Sequence, residues 1–278
     1  MEAASAVKGR HDSVWEWAVV GIFGLFFVLP MLAMGRFALQ RVPVALLGRH
    51  TLFSRWTLKG VTSTLTDEKF RPALLLSLRL GILTVLLVLF LMVPTVLWIR
   101  LAAPRWRPLV EAASLLPYVV PPIALVVGVA GAYRDSVPWI VSSNEGLVPL
   151  YAVLCLPFAF RSLDAGVAAI DIRTLVDASR NLGAGTYRTL MSVLVPNLWV
   201  SIISTAFLCF AVVMGEFAIA FLLLKQTLPA YMVEAQGQEP QGAMAVSLML
   251  LVLTTTLFAL IGRLDGRHGR SARKEPHT

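Results

Sequence analysis

Long apolar runs separated by polar or charged stretches divide this chain into six segments. A helix needs about 20 mostly apolar residues to cross a bilayer, so each run predicts a membrane-spanning helix. The fourth run is short as counted, and its helix is expected to extend through Asn144 or Ser162. The six runs are Val14 to Met34, Ala73 to Ile99, Leu109 to Tyr133, Leu147 to Phe160, Leu198 to Leu224 and Gly242 to Ile261.

The same runs argue against β-strands. A barrel strand that faces lipid alternates apolar and polar residues, whereas these runs are apolar on all sides. The pattern therefore predicts an all-α membrane protein built as a six-helix transmembrane bundle. Residues 1–13 form an N-terminal tail, 14–262 the membrane domain and 263–278 a basic C-terminal tail.

Two connecting segments are too long to be turns. Gly35 to Pro72 separates the first two runs, and Ser162 to Pro196 separates the fourth and fifth. These segments are expected to hold whatever the protein presents to soluble partners.

Composition and charge support a membrane protein. The chain of 278 residues is 57% hydrophobic and 14% charged, whereas soluble domains carry about a quarter charged residues. The net charge of +8 is typical of Lys and Arg in cytoplasmic loops, so a nucleic-acid partner is not expected. Loop charges favour cytoplasmic N- and C-termini, although the first outer loop is unusually basic.

Candidate catalytic chemistry is sparse. Cys155 and Cys209 lie inside apolar runs and are interpreted as small packing residues. The four histidines show no metal-ligand spacing, and no Gly-rich loop with Lys and Ser or Thr is present to bind nucleotide. The chain is therefore expected to bind no metal or cofactor and not to be an enzyme.

The most informative segment precedes the fifth run. An acidic residue, two small residues, a glycine, two apolar residues and a proline follow at fixed spacing: Asp177, Ala178, Ser179, Gly183, Val193, Val195 and Pro196. This spacing resembles the EAA loop of the permease subunits of binding-protein-dependent ABC importers. The departures are mild: Asp replaces Glu, Ser replaces the second Ala, and Val replaces the usual Leu before Pro. The literal triplet Glu111-Ala112-Ala113 is a decoy, because Pro117 stands where the glycine is required.

Local physics supports a helix, a turn and a second helix in this segment. Asp171 is placed to cap the first helix, Gly183 to end it in a left-handed conformation, and Thr186 to cap the second. Apolar or small residues recur at helical spacing along the first helix: Ile172, Leu175, Val176, Ser179 and Leu182. Without the motif spacing, an amphipathic helix lying on the bilayer surface would be the preferred interpretation.

The resemblance implies a particular assembly. The helix–turn–helix would be the cytoplasmic coupling elbow, which docks on separate ATP-binding subunits through Asp177, Ala178, Ser179, Leu182, Gly183 and Pro196. Those subunits would hold ATP and Mg²⁺. The other implied partners are a second permease, identical or related, and an external substrate-binding protein, all at the inner membrane of a bacterium.

Weaker signals extend the resemblance to polyamine, iron and phosphonate permeases. Ser77 and the segment Thr227-Leu228-Pro229 look like recurring features of that group, as does a proline cluster in the third run. Each proline removes a backbone donor, so the third helix should be kinked or interrupted. The cluster either borders the translocation pathway or makes a packing kink: Pro117, Pro121 and Pro122.

Charged residues inside the runs leave alternatives open. Glu216 lies within the fifth run, where an ionised group is costly unless it faces the bundle or water. It lines the pathway, is a structural partner of a cation such as Arg79, or lies near the outer membrane interface. Arg79 is otherwise expected to extend outward, and Glu111 is expected at the membrane interface. The function predicted is transport of a small charged solute, with an ion-driven secondary transporter as the alternative.

Overall fold

The computed structural model describes residues 2–40 and 56–271, with side chains over 15–40, 56–252 and 254–256. The described part is helical, and its only β pairing is an isolated bridge between Gln40 and Trp56. The all-α prediction is therefore confirmed. The helices are α1 (Glu2–Ala38), α2 (Lys59–Thr66), α3 (Phe70–Leu101), α4 (Arg107–Val119), α5 (Pro122–Tyr133), α6 (Trp139–Ser142), α7 (Leu147–Ala168), α8 (Ile172–Asn181), α9 (Thr186–Thr189), α10 (Val195–Asn197), α11 (Trp199–Gly215), α12 (Ala218–Leu222), α13 (Leu228–Gln238) and α14 (Pro240–Ser271).

Within the described residues, three helical stretches are long and apolar enough to cross a membrane: Trp15–Ala38, Phe70–Leu101 and Leu147–Ala168. Two bent pairs bring the count to five if each pair is one span: Pro104–Val119 with Pro122–Tyr133, and Thr186–Asn197 with Trp199–Gly215. Pro240–Thr256 is a shorter apolar helix. Every predicted run is thus helical over most of its length, and the number six stays a prediction.

The break in the third run and the extension of the fourth helix agree with the sequence predictions, whereas the break in the fifth run was not predicted. The helix of the fourth run, α7, continues through Ser162 to Ala168, which shortens the connection that follows it. The third run breaks after Val119 and bends by 97°. The fifth run is interrupted at Glu216, where the backbone becomes extended. A hydropathy pattern does not detect such breaks, because the interrupting residues lie within an apolar sequence.

The chain divides into two compact units. The first comprises Met1–Asp67 and Met232–Leu253. Ala38, Val61 and Ala245 form its small buried cluster, and α2 approaches α14 so closely that a Cβ on Gly242 would overlap the carbonyl oxygen of Gly60. The side chains of Trp15–Ala38 are largely exposed, as expected of a helix that faces lipid. Much of the basic segment between the first two runs, residues 41–55, lies outside the described residues.

The second unit comprises Glu68–Tyr231 and Thr254–Thr278. Its centre is the packing of α3, α7 and α11, where small residues allow close approach. Gly81 of α3 lies against the ring of Phe210, and Gly166 of α7 lies against Ser201. Cys155 and Cys209 are buried and free, as predicted. A second buried cluster continues from these helices to α8: Val96, Leu97, Ile99, Phe160, Leu163, Val167, Ile172, Val176, Leu194 and Leu198.

Candidate functional site

The segment singled out by the motif folds as an elbow, a name used here for residues 171–197. It starts at Asp171, which caps α8 as predicted. The Asp171 carboxylate accepts the Thr174 hydroxyl at 2.7 Å and the Thr174 backbone N–H at 3.3 Å. These hydrogen bonds, led by the one from the hydroxyl, hold the pKa of Asp171 below its ordinary value. The cap therefore stabilises α8 at neutral pH and is lost as the pH falls through that lowered pKa.

One face of α8 packs against its own chain. Ile172 and Val176 are buried in the cluster shared with α3 and α7. Ser179 is buried on the same face, and its hydroxyl shares a 2.9 Å hydrogen bond with the Thr189 hydroxyl. Ser179 therefore joins the two helices of the elbow and faces inward, although the resemblance had placed it on the docking surface.

Gly183 ends α8 in the predicted left-handed conformation, with φ of +81°. The Gly183 N–H bonds the Arg180 carbonyl at 2.8 Å, and the Ala184 N–H bonds the Ser179 carbonyl at 3.1 Å. This pair of bonds is the Schellman arrangement, which satisfies carbonyls left free at a helix end. A glycine adopts the required φ without the clash that a Cβ would introduce.

The predicted cap of the second helix is wrong. Thr186 is the first residue of α9, and Gly185 occupies the capping position with no side-chain hydrogen bond. The turn needs only Gly183 to reverse direction, so Gly185 enters α9 in an ordinary extended conformation, with φ of −72° and ψ of 166°.

A wide turn follows α9. Residues Leu190–Leu194 form a π-helical turn, closed by a hydrogen bond from the Val195 N–H to the Leu190 carbonyl. Pro196 lies immediately after it and lacks a backbone donor. The chain then bends by 75° between Thr186–Asn197 and Trp199–Gly215. Pro196 therefore belongs to the bend that leads into α11.

The opposite face of the elbow is open. Asp177, Ala178 and Gly183 are exposed, and two large apolar side chains stand beside them: Leu182 is 89% exposed and Tyr187 75%. Exposed apolar residues rimmed by polar ones mark interaction surfaces. The structure thus brings four predicted coupling residues onto one surface and adds Tyr187, which the sequence interpretation missed.

Asp164 is a second residue that sequence reasoning missed. It lies near the end of α7 with 5% exposure and accepts hydrogen bonds from two arginines. Arg100 approaches from the end of α3, and Arg107 donates to it at 2.8 Å from the start of α4. These ion pairs hold together the end of α3, the start of α4 and the end of α7. α8 packs against α3 and α7 in the same region. The sequence did contain a signal for this site, because Asp164 is an acidic residue just after the end of the fourth apolar run.

Glu216 occupies the break between α11 and α12. Its Oε1 accepts the Ile219 N–H at 3.0 Å, which caps the short helix α12. Its Oε2 is buried and forms no hydrogen bond to any described residue, although the Tyr151 hydroxyl is close enough to interact with it electrostatically. Arg79 is not its partner, because Arg79 pairs with Glu145 at 2.8 Å.

Other weak sequence signals have structural roles. The Ser77 hydroxyl accepts the Leu228 N–H at 2.7 Å, so these two separate signals meet at the start of α13. Pro121 and Pro122 stand at the break between α4 and α5, whereas Pro117 remains inside α4. Glu111, which is half-buried, lies 3.9 Å from the exposed Arg161.

Comparison with known proteins identifies the class of transporter that this fold serves. No protein-family model matches the chain. It is 30% identical over 168 residues to the molybdenum transport system permease protein ModB of Azotobacter vinelandii, covering 56% of this chain and 74% of that protein. It is 23% identical over 263 residues to the molybdate/tungstate permease protein WtpB of Pyrococcus abyssi, covering 93% and 98%.

Two further similar proteins also belong to ABC transporters. A putative ABC transporter permease, ORF1 of Streptomyces antibioticus, is 37% identical over 131 residues, but the chain spans only 57% of that relative's length. A bacterial ABC transporter involved in the import of the acidic polysaccharide alginate shares the fold, with a TM-score of 0.66 at 14% identity over 91% of this chain and 96% of that one. The fold and elbow are those of a multi-pass transport permease. The chain belongs to the family of ABC importer permeases that includes the ModB proteins.

Proposed function

We propose that this chain forms the translocation pathway for a small inorganic oxyanion and couples to separate ATP-binding subunits through the elbow. The observation that supports the coupling role most directly is the open face of α8, where Asp177, Ala178 and Leu182 stand beside the exposed turn at Gly183. Its opposite face is held to α3 and α7 by buried apolar contacts. A force applied to the open face would therefore reach the membrane helices directly.

The proposed substrate follows from the names of the relatives. They belong to systems for molybdenum, molybdate or tungstate, and sulfate, and molybdate, tungstate and sulfate are all dianionic oxyanions. The cations suggested by the weaker sequence signals, a polyamine or ferric iron, gain no support from these relatives. An oxyanion still agrees with the more general prediction from the sequence, which is a small charged solute.

The proposed assembly contains two permease subunits, two cytoplasmic ATPase subunits and an external binding protein, in a bacterial inner membrane. ATP and Mg²⁺ would be held by the ATPase subunits. Closure of the ATPase pair would move the elbow, and the helix bundles would then alternate between inward-facing and outward-facing states.

Reconstituted transport tests this proposal. Proteoliposomes that contain the complete complex should take up radiolabelled molybdate only with the binding protein outside and ATP available to the ATPase. Excess tungstate or sulfate should compete, whereas spermidine should not. Collapse of ion gradients by ionophores should leave uptake unchanged. Uptake that follows an ion gradient without ATP would instead support a secondary transporter, an alternative that the comparisons do not favour.

The proposed orientation places the elbow in the cytoplasm, and cysteine labelling tests it. Arg180 and Lys59 are both exposed, so a cysteine at either position is accessible from its own side. In intact cells, Arg180→Cys should resist a membrane-impermeant thiol reagent and Lys59→Cys should react. The native cysteines are buried and give little background. The opposite labelling pattern would invert the topology and exclude docking of a cytoplasmic ATPase on the elbow.

Glu216, Pro117, Pro121 and Pro122 are proposed to border the pathway, and Glu216 allows a sharp test. Glu216→Gln keeps an oxygen that can accept the Ile219 N–H, so we expect normal assembly. A carboxylate does not attract an oxyanion, so Glu216 would act on the shape of the pathway, at the break between α11 and α12 where its Oε2 is buried. Loss of the charge there should lower uptake. Glu145→Gln is the matched control, because Glu145 is a half-buried acid already paired with Arg79. Normal uptake by Glu216→Gln would remove Glu216 from the pathway.

A further inference from the structure

A cleft separates the end of α3 from the elbow. Its volume is about 300 Å³, at the lower end of the range for sites that bind small molecules. It begins among apolar side chains of the last turns of α3, including Pro94 and Leu97, and is closed on the other side by Leu190 and Leu194. Arg180 stands at its polar end.

We propose that this cleft binds one acyl chain of an anionic phospholipid, whose phosphate is held by Arg180. The cleft runs from Pro94 to Ala102 along α3, which at 1.5 Å per residue is a length of about 12 Å. Apolar residues dominate its inner part. A ligand with an apolar chain and an anionic end matches both parts.

The position of the cleft relative to the membrane supports a lipid. Trp98 lines it and is 53% exposed, and tryptophan prefers the level of the headgroups because its ring is amphipathic. The apolar run of α3 ends at the same level, where Arg100 reaches Asp164. The polar end of the cleft therefore lies at the headgroup level and its apolar end at the level of the acyl chains.

Charge complementarity identifies the headgroup as anionic. A polar cavity of about 340 Å³ adjoins the cleft and shares Leu101, Ala102, Val176 and Arg180 with it. Arg173 and Asp177 also line this cavity, so two arginines face one carboxylate. Within the described ranges neither Arg173 nor Arg180 forms an ion pair. Arg100 and Arg107, by contrast, are already paired with Asp164.

The ATPase is the principal competing occupant. Its proposed surface borders the polar cavity at Asp177 but does not include the lining of the cleft itself. The prominent exposed side chains Leu182 and Tyr187 do not line the cleft. A lipid in the cleft would contact α3 and both helices of the elbow at once. It would thereby fix the angle at which the elbow is presented, which links ATPase coupling to the anionic lipid content of the membrane.

Binding to the full-length permease tests the proposal. The protein is purified in neutral detergent and titrated with dioleoylphosphatidylglycerol or dioleoylphosphatidylcholine, and bound lipid is counted by native mass spectrometry. We expect one tightly retained phosphatidylglycerol per chain and weaker binding of phosphatidylcholine. Arg180→Gln should weaken phosphatidylglycerol binding about fivefold, the effect of removing one cation close to an anionic lipid. Arg188→Gln is the control, because Arg188 is exposed on the same elbow but lines neither cavity.

A second variant fills the cleft instead of changing its charge. Ala102 is exposed and lines both cavities, so Ala102→Trp blocks the acyl chain while leaving the buried core intact. It should abolish tight binding of phosphatidylglycerol. Equal binding of the two lipids, or parent-like binding by both Arg180→Gln and Ala102→Trp, would overturn the proposal. Displacement of phosphatidylglycerol by added ATPase subunits would also overturn it and assign the cleft to ATPase docking.

Discussion

Gly183→Trp is expected to leave the permease inserted in the membrane but unable to retain its ATPase subunits. A Cβ at Gly183 meets no atom within 4 Å in this chain, so the fold itself does not exclude the larger side chain. The positive φ adds a backbone cost of about 1 kcal/mol. The indole would stand on the open face of α8, and a misfit there of about 3 kcal/mol lowers affinity more than a hundredfold.

Gly185 provides a matched control two residues away. It is also exposed with no atom within 4 Å of an added Cβ, but its φ is −72°. Gly185→Ala should behave like the parent, whereas Gly183→Ala should destabilise the turn by about 1 kcal/mol. Asp177→Asn should be milder than Gly183→Trp, because it preserves side-chain size. The measurements are ATPase co-purification and hydrolysis stimulated by the binding protein. Parent-like results for Gly183→Trp in both would mean that the elbow is not the coupling element.

Asp164→Asn is expected to destabilise the membrane bundle by about 3 kcal/mol, because it leaves two arginines without their shared carboxylate. The value is placed at the low end of the range for buried pairs, since the Arg107 side chain is 46% exposed and screened by solvent. The midpoint of thermal unfolding in detergent should fall by roughly 5–10 °C. The recovered yield of protein should fall with it.

Glu111→Gln is the comparison for this variant. Its partner Arg161 is 66% exposed at 3.9 Å, and an exposed pair contributes less than about 1 kcal/mol. A parallel loss of stability in both variants would show that the effect comes from removal of any acid near this end of the bundle. A stable Asp164→Asn protein would show that Arg100 and Arg107 are satisfied by water or lipid.

Local features of the elbow were predictable from sequence, and tertiary ones were not. Asp171 and Gly183 act on backbone groups within three residues of themselves, so residue type and spacing suffice to predict both. Thr186 failed as a cap because the preceding glycine already sits at that position. Helical spacing already placed Ser179 on the stripe of Ile172 and Val176, but it did not predict the hydrogen bond of Ser179 to Thr189, ten residues later in a second helix.

Contacts between residues that are far apart in the sequence could not be predicted from the hydropathy pattern. Asp164 meets partners that lie 57 and 64 positions away, and a charge at the edge of an apolar run has no period that indicates such a partner. Glu216 was recognised as costly inside a span, but its role as a cap for α12 depends on a break that hydropathy does not detect. The proline cluster predicted an interruption correctly, although only Pro121 and Pro122 stand at it.

The π-helical turn at Leu190–Leu194 gives the elbow some freedom in its length. Such a turn holds one residue more than an α-helical turn. Because the extra residue is absorbed within one turn, its removal should let the segment close into regular α-helix while α11 keeps the side that it presents to α3 and α7. A deletion near the start of α11, where no extra residue is present, would instead rotate the residues that follow by about 100° and turn Cys209 and Val213 out of the core. The elbow should therefore tolerate the loss of one residue in this turn, whereas α11 should not.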